Sequence, residues 1–180
     1  MGSSKSILEV KDFVLKKKSI LSGWHYELED TSGAKLGEAS FNTRRVSTLR
    51  LIPTFVVTDT NGSEVMHLEM KTPSTRLQFT FFDPAGAEIG TIKKKILKFP
   101  GDEYWIEKNG VETMRIYGNF TEHDYQMEIS GGKVASVHKK WFSARDQLGV
   151  SITEEVDHRV ILGAVIVIEH VEVSGRHGPL

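Results

Sequence analysis

Nine consecutive apolar residues, 160–168 (VILGAVIVI), stand near the C-terminus of a chain that otherwise reads as β-hairpins. A hairpin protein has two uses for such a segment. Either it enters a membrane or the hairpins close around it. A membrane-spanning helix needs roughly 20 apolar residues. Here Asp157, His158 and Arg159 precede the run, and Glu169, His170 and Glu172 follow it. Burial inside the protein is therefore expected, and no transmembrane span. Val and Ile favour strands, but Ser151 and Glu154 stand at capping-box spacing, with Thr153 as an alternative cap. Glu154, Glu155 and Asp157 would then complement the helix dipole in the first turn, and Gly175 could end the ordered chain. The expectation is a helix from about residue 154 to about residue 170, roughly 25 Å long. Its middle is apolar all round, so it must be buried on all sides. Gly163 and Ala164 would mark the closest approach of a bulky neighbour.

Turn signals divide the rest. DTSG (30–33), DTNG (59–62), DPAG (83–86), KNG (108–110) and GG (131–132) each separate two runs with strand character. Asp opens such turns and Gly supplies positive φ, so each pair of runs is a hairpin. The runs alternate with period two. Trp24, Tyr26 and Leu28 oppose His25, Glu27 and Glu29, while Val111, Thr113 and Arg115 oppose Glu112, Met114 and Ile116. The stretch NTRRVSTLRLI (42–52) breaks the rhythm and holds another short strand or a surface loop. An opening strand near residues 7–16 and another near 149–152 bring the count to about twelve. A sheet that long must close or split, and closure removes its edges. Side chains from eight strands can fill a barrel, but twelve leave a wider middle. The apolar helix is the obvious plug. Gly37 and Gly90 lie inside strands, where they bend the sheet at barrel corners.

The expected organisation is a polar, disordered tip at 1–6, one β-barrel domain over 7–173, and a flexible tail at 174–180. The opening MGSSKS reads as that tip or as a tag remnant. A competing reading is a myristoylation pattern, with Gly2 as acceptor and Ser6 in place, which applies only in a eukaryotic host and has Ile7 where a basic residue would help. The net charge of −1 gives no global field toward nucleic acid or membranes, so an electrostatic partner needs a local patch. The absence of Cys excludes disulfides, thiolate nucleophiles and zinc–thiolate sites, and fits a cytoplasmic protein.

The order of motifs carries a resemblance. Repeated D-x-x-G hairpins are followed by Gly118-Asn119-Phe120, then Lys139-Lys140-Trp141, then D-x-x-G-V-x-I ahead of the apolar segment. This resembles the LURP-one-related proteins, which belong with the tubby C-terminal domain and the phospholipid scramblases, over about residues 13–170. The resemblance implies a mainly β, tubby-like fold: a closed barrel of about twelve mostly antiparallel strands around a central buried C-terminal α-helix.

Three lysine runs are the candidate site: Lys16, Lys17 and Lys18; Lys93, Lys94 and Lys95; and Lys139 with Lys140. Such runs could converge on one barrel end and hold an anionic lipid head group, as similar tubby domains hold phosphoinositides. Solvated gatekeeper lysines are the competing reading. The resemblance to scramblases also points to a calcium segment, with Asp146, Glu155 and Asp157 as the matching acids. Leu148, Val150 and Ile152 alternate there as a buried strand does, so the acids read as helix caps and no metal is expected. None of the seven His forms an H-E-x-x-H or H-x-H pair, and His123 with Glu122 and Asp124 reads as a surface loop. Trp24, Trp105, Trp141, Phe79, Phe81 and Phe82 read as core and wall packing. With no nucleophile or phosphate-loop motif, the expected protein is no enzyme and uses no cofactor. It would be a binding barrel, cytoplasmic or peripheral at a membrane. Its candidate partners are an anionic phospholipid or, as a protein-interaction scaffold, another protein.

Overall fold

The computed structural model describes residues 6–18, 24–47, 50–71, 77–95, 103–139 and 147–175. Residues 1–5 and 176–180, Lys140, Trp141 and Asp146 lie outside the described residues, and with them most of the expected tip and tail. The strands are β1 (Asp12–Lys17), β2 (His25–Asp30), β3 (Lys35–Ser47), β4 (Arg50–Asp59), β5 (Glu64–Met70) and β6 (Gln78–Phe82). They continue as β7 (Glu88–Lys95), β8 (Glu103–Lys108), β9 (Val111–Asn119), β10 (Asp124–Ile129), β11 (Gly132–Lys139) and β12 (Gln147–Ile152), before helix α1 (His158–Gly175). Every strand pairs antiparallel with its sequence neighbours, and β1 closes the barrel on β12 with Phe13 opposite Val150.

Local chemistry sets the hairpins. Asp30 Oδ1 accepts the Ser32 and Ala34 N–H groups at 2.8 and 2.9 Å, and Asp59 Oδ1 accepts those of Asn61 and Ser63 at 2.8 and 2.9 Å. Gly33 and Gly62 follow at φ 88° and 80°, a region closed to most L-residues. The register shifts in both hairpins, at Leu28/Glu29 and Val57/Thr58, and likewise at Phe81/Phe82 in the β6–β7 hairpin. Gly37 and Gly90 are the last regularly paired residues before those shifts. A Cβ at Gly37 would stand 2.3 Å from the Thr58 carbonyl oxygen. Both glycines thus sit where the sheet is bent and closely approached.

The alternating apolar residues face inward. Tyr26, Leu28, Phe55, Phe79, Phe81 and Met127 line the wall with no solvent exposure. Helix residues 161–170 are buried without interruption, so α1 fills the barrel as its composition demands. Gly163 faces Phe81, whose ring would lie 3.0 Å from an added Cβ. No helix among the described residues is long and apolar enough to cross a membrane.

Four local expectations are corrected. The opening strand starts at Asp12, not residue 7, because β1 has partners in β2 and β12 only from there on. Residues 7–9 form a turn, closed by Glu9 N–H to Ser6 O at 2.9 Å. Among the described residues of NTRRVSTLRLI there is neither an extra strand nor a plain loop: residues 42–47 continue β3 and residues 50–52 continue β4, paired as far as Ser47 opposite Arg50. Helix α1 starts at His158 rather than near residue 154 and runs to Gly175, into the expected tail. Ser151 is no cap, since it lies in β12 opposite Ser136 and Asp12, and Thr153 Oγ1 donates instead to the Lys133 carbonyl. Asp157 is the cap: its Oδ1 accepts the Arg159 N–H at 3.0 Å, which leaves Glu154 and Glu155 exposed ahead of the helix.

Candidate functional site

Strand direction alternates around the barrel, so all odd-numbered strands end at the same end. The lysine runs terminate β1, β7 and β11. Topology therefore gathers them at one end, while the tight turns and their aspartates close the other. Helix α1 enters from the turn end and delivers its C-terminal residues among the lysines.

The lysines divide by parity. Three on the outer wall are paired: Lys16 with Glu29 at 3.0 Å, Lys18 with Glu27 at 2.9 Å, and Lys93 with Glu107. The Lys18 hydrogen bond holds the Glu27 carboxyl below its usual range, and those from Lys93 and Trp105 do the same for Glu107. One lysine of each run lies in inner-face register. Lys94 reaches Glu172 of α1 at 3.0 Å, and Lys17 lies 4.5 Å above the Trp24 ring. Lys139 shares the parity of the core residues Ala135 and Val137 and is exposed, as is Lys95. Of the calcium candidates, Glu155 and Asp157 precede the helix and Asp157 caps it. Among the described residues no group of three or more His, Asp or Glu is placed to hold a metal ion.

Beneath the lysines, α1 carries three polar residues that the sequence places merely at the end of the apolar run. Glu172 sits near the helix C-terminus, where the dipole disfavours a carboxylate. Lys94 and the Tyr104 hydroxyl, which donates at 2.7 Å, both bind its Oε1 and offset that penalty. Glu169 is 8% exposed, and the His123 Nδ1 stands 3.0 Å from its Oε2 in poor alignment for a hydrogen bond. The Tyr26 and Tyr125 hydroxyls are buried without a hydrogen-bond partner among the described residues, and burial, reinforced by Glu169, raises both phenols well above their usual pKa. His170 is caged by Trp24, Phe41, Phe55 and Phe79, with ring centroids 4.8 to 6.2 Å away. Burial, with a smaller push from Lys17, lowers its pKa to about 4, so the imidazole is neutral.

His123 is therefore no surface-loop residue. The Gly118-Asn119-Phe120 segment places it. Gly118 adopts φ 140° and packs so closely that a Cβ would stand 2.6 Å from Asp124 O. Asn119 Oδ1 accepts the Glu122 N–H at 3.1 Å, and Phe120 wedges between Tyr104 and Tyr125. His123 itself takes φ 55° and turns inward. The signal in the sequence was this motif rather than the acids beside the histidine. Among the aromatics, Phe79 and Phe81 are core, whereas Trp24 is half-buried under Lys17. Phe82 stacks on His67, and the half-buried Trp105 donates its indole N–H to Glu107.

A closed twelve-stranded antiparallel barrel threaded by its own C-terminal helix defines the tubby-like class of folds. The sequence profile of the LURP-one-related family matches residues 11–169, and the chain belongs to that family. The fold is similar to the X-ray structure of a protein from Arabidopsis thaliana: 17% sequence identity, TM-score 0.62, covering 89% of this chain and 91% of that one. No curated protein matches the chain.

Proposed function

We propose that this protein is a non-enzymatic binding barrel that docks its lysine end on an anionic surface, with phospholipid head groups, phosphoinositides included, as its ligands. The observation that carries the reading is the convergence of the lysine runs at the ends of β1, β7 and β11. At the opposite end Asp30, Asp59 and Asp83 bind turn N–H groups, so the barrel is electrically polar along its axis. A polar barrel approaches an anionic surface with its basic end foremost. The buried groups at that end support a binding role rather than catalysis. Glu169 and His170 are sealed in the core, and Glu172 is engaged by Lys94 and Tyr104. Anionic lipid is concentrated on the cytoplasmic leaflet, which makes a peripheral cytoplasmic location the natural one.

Sedimentation with phosphatidylcholine vesicles, with and without phosphatidylserine or phosphoinositide, tests this at low and physiological salt. Binding should require the anionic lipid and weaken with salt. Lys95→Gln with Lys139→Gln should lower affinity about 30-fold, since each cation near such a surface contributes about 1 kcal/mol. A protein that ignores anionic vesicles at low salt overturns the lipid reading. The second reading, a protein-interaction scaffold, draws on the pairing of Lys16, Lys18, Lys93 and Lys94 with glutamates. A stoichiometric protein partner that survives delipidation would favour it.

A further inference from the structure

Strands β9, β10 and β11 enclose a depression of about 280 Å³ in the outer wall of the barrel. Tyr125, Met127, Ala135 and Val137 are core residues, so alternation turns Asp124, Gln126, Ser136 and His138 outward. The register sets these side chains in two rows. Tyr117, Gln126 and Ser136 lie side by side across the three strands, and Asp124 faces His138 in the next row. Gly118 adds backbone without a side chain, and Lys133 completes the lining.

The rows are held in place by their own contacts. Gln126 Nε2 donates to the Tyr117 hydroxyl at 2.6 Å, and that hydroxyl donates to Glu128. His138 Nδ1 stands 2.8 Å from Asp124 Oδ1. Mutual support of this kind keeps a binding site preorganised. Other polar atoms are left over. Ser136 is 9% exposed, and its hydroxyl and the Lys133 ammonium have no polar partner among the described residues. The Gln126 amide oxygen and Asp124 Oδ2 remain as acceptors.

This lining selects a class of ligand. An apolar molecule would leave the polar atoms desolvated and unpaired, which costs more than the contact returns. An anion would face Asp124 and a cation would face Lys133, and one carboxylate against one ammonium favours neither sign. Donors and acceptors side by side, next to the half-buried Tyr117 ring, match a ring with hydroxyls on its rim and C–H groups on its face. The space falls just short of the about 300 to 1,000 Å³ of drug-sized sites, which suits a single ring.

We propose that the depression between β9, β10 and β11 binds one neutral sugar or cyclitol ring, with Tyr117 against its C–H face and Ser136, Gln126, Asp124 and Lys133 on its hydroxyls. The site lies on the side wall and stands independently of the lipid reading. Titration of isotope-labelled protein with methyl α-glucoside, methyl β-galactoside, methyl α-mannoside and myo-inositol, followed by amide chemical shifts, tests it. At least one of these probes should give saturable shifts at Gly118, Gln126, Ser136 and His138 and leave the wall formed by β3, β4 and β5 unmoved. Ser136→Ala should weaken that probe about 5-fold, the scale of one hydrogen bond. Tyr117→Val should weaken it about 10-fold through the lost apolar face, each in a protein whose amide spectrum otherwise matches the wild type. If Tyr117→Val fails to fold, Ser136→Ala alone carries the comparison. Phosphatidylcholine vesicles with and without a galactosyl lipid separate the two sources of such a ring. Sedimentation that requires the galactosyl lipid assigns the site to a membrane glycolipid, and soluble binding without sedimentation assigns it to free sugar. No saturable shift with any of the four probes, or wild-type affinity in Ser136→Ala, overturns the proposal.

Discussion

The caged histidine makes the folded state sensitive to acid in a way that can be calculated. The His170 pKa is about 4, against 6.5 for the unperturbed side chain. Between these values the unfolded chain takes up a proton that the folded chain refuses. The contribution is therefore fully present above the unfolded pKa and is lost as pH falls from about 6.5 toward 4. At 1.36 kcal/mol per pKa unit, about 2 kcal/mol is lost between pH 7 and pH 5, and about 3 kcal/mol by pH 4. A typical domain has about 5 to 15 kcal/mol in total, so the loss would be visible. The variant to compare is His170→Phe, which keeps a ring among Trp24, Phe41, Phe55 and Phe79 but cannot titrate. It also removes a buried Nδ1 that has no hydrogen-bond partner among the described residues. Urea unfolding followed by tryptophan fluorescence would give the stability of both proteins at pH 7, 6 and 5. Other titrating groups largely cancel in the difference. The variant should gain on the wild type by about 2 kcal/mol between pH 7 and pH 5. Two stability curves that stay parallel would refute the account and imply that His170 is protonated, or solvated, inside the barrel.

Three further outcomes are expected. Ile166→Asp places an unpaired charge at a position with no exposure, which costs several kcal/mol even after relaxation, so insoluble or unfolded protein is expected in expression and circular dichroism. Gly163→Val should destabilise by about 1 to 3 kcal/mol through overpacking against the Phe81 ring, read by thermal melting, whereas a melting temperature at or above wild type would show that the ring can move aside. Asp157→Ala removes the cap of α1 and should cost about 1 kcal/mol in chemical denaturation, while Ser151→Ala leaves the helix start untouched.

The architecture was largely legible in the chain. Period-two alternation, the D-x-x-G turns and one all-apolar segment suffice for antiparallel hairpins closed around a helix, because each is a local pattern with a local physical cause. Even Gly163 could be read as a point of close approach, which Phe81 makes good. The ends of elements were less legible. Ser151 and Glu154 satisfy a capping rule, yet the inward burial of Val150 and Ile152 holds that stretch in β12. The extension of β3 and β4 reads in the sequence only as a broken rhythm, since nothing local says where the ladders to β2 and β5 stop. The candidate site depended most on tertiary structure. The lysine runs are evident in the sequence, but only barrel closure brings them to one end and assigns Lys16, Lys18 and Lys93 to glutamates on the outer wall. His123, Glu169 and His170 look like surface residues because polar side chains usually are. A helix that continues through the barrel carries Glu169 and His170 inside with the apolar residues before them, and the Gly118 turn folds His123 in to meet them. Sequence alone thus determined which segments must be buried and how the chain must alternate. Which polar groups share that burial was decided by where twelve strands and one helix end relative to one another, a property of the closed assembly that no local pattern encodes.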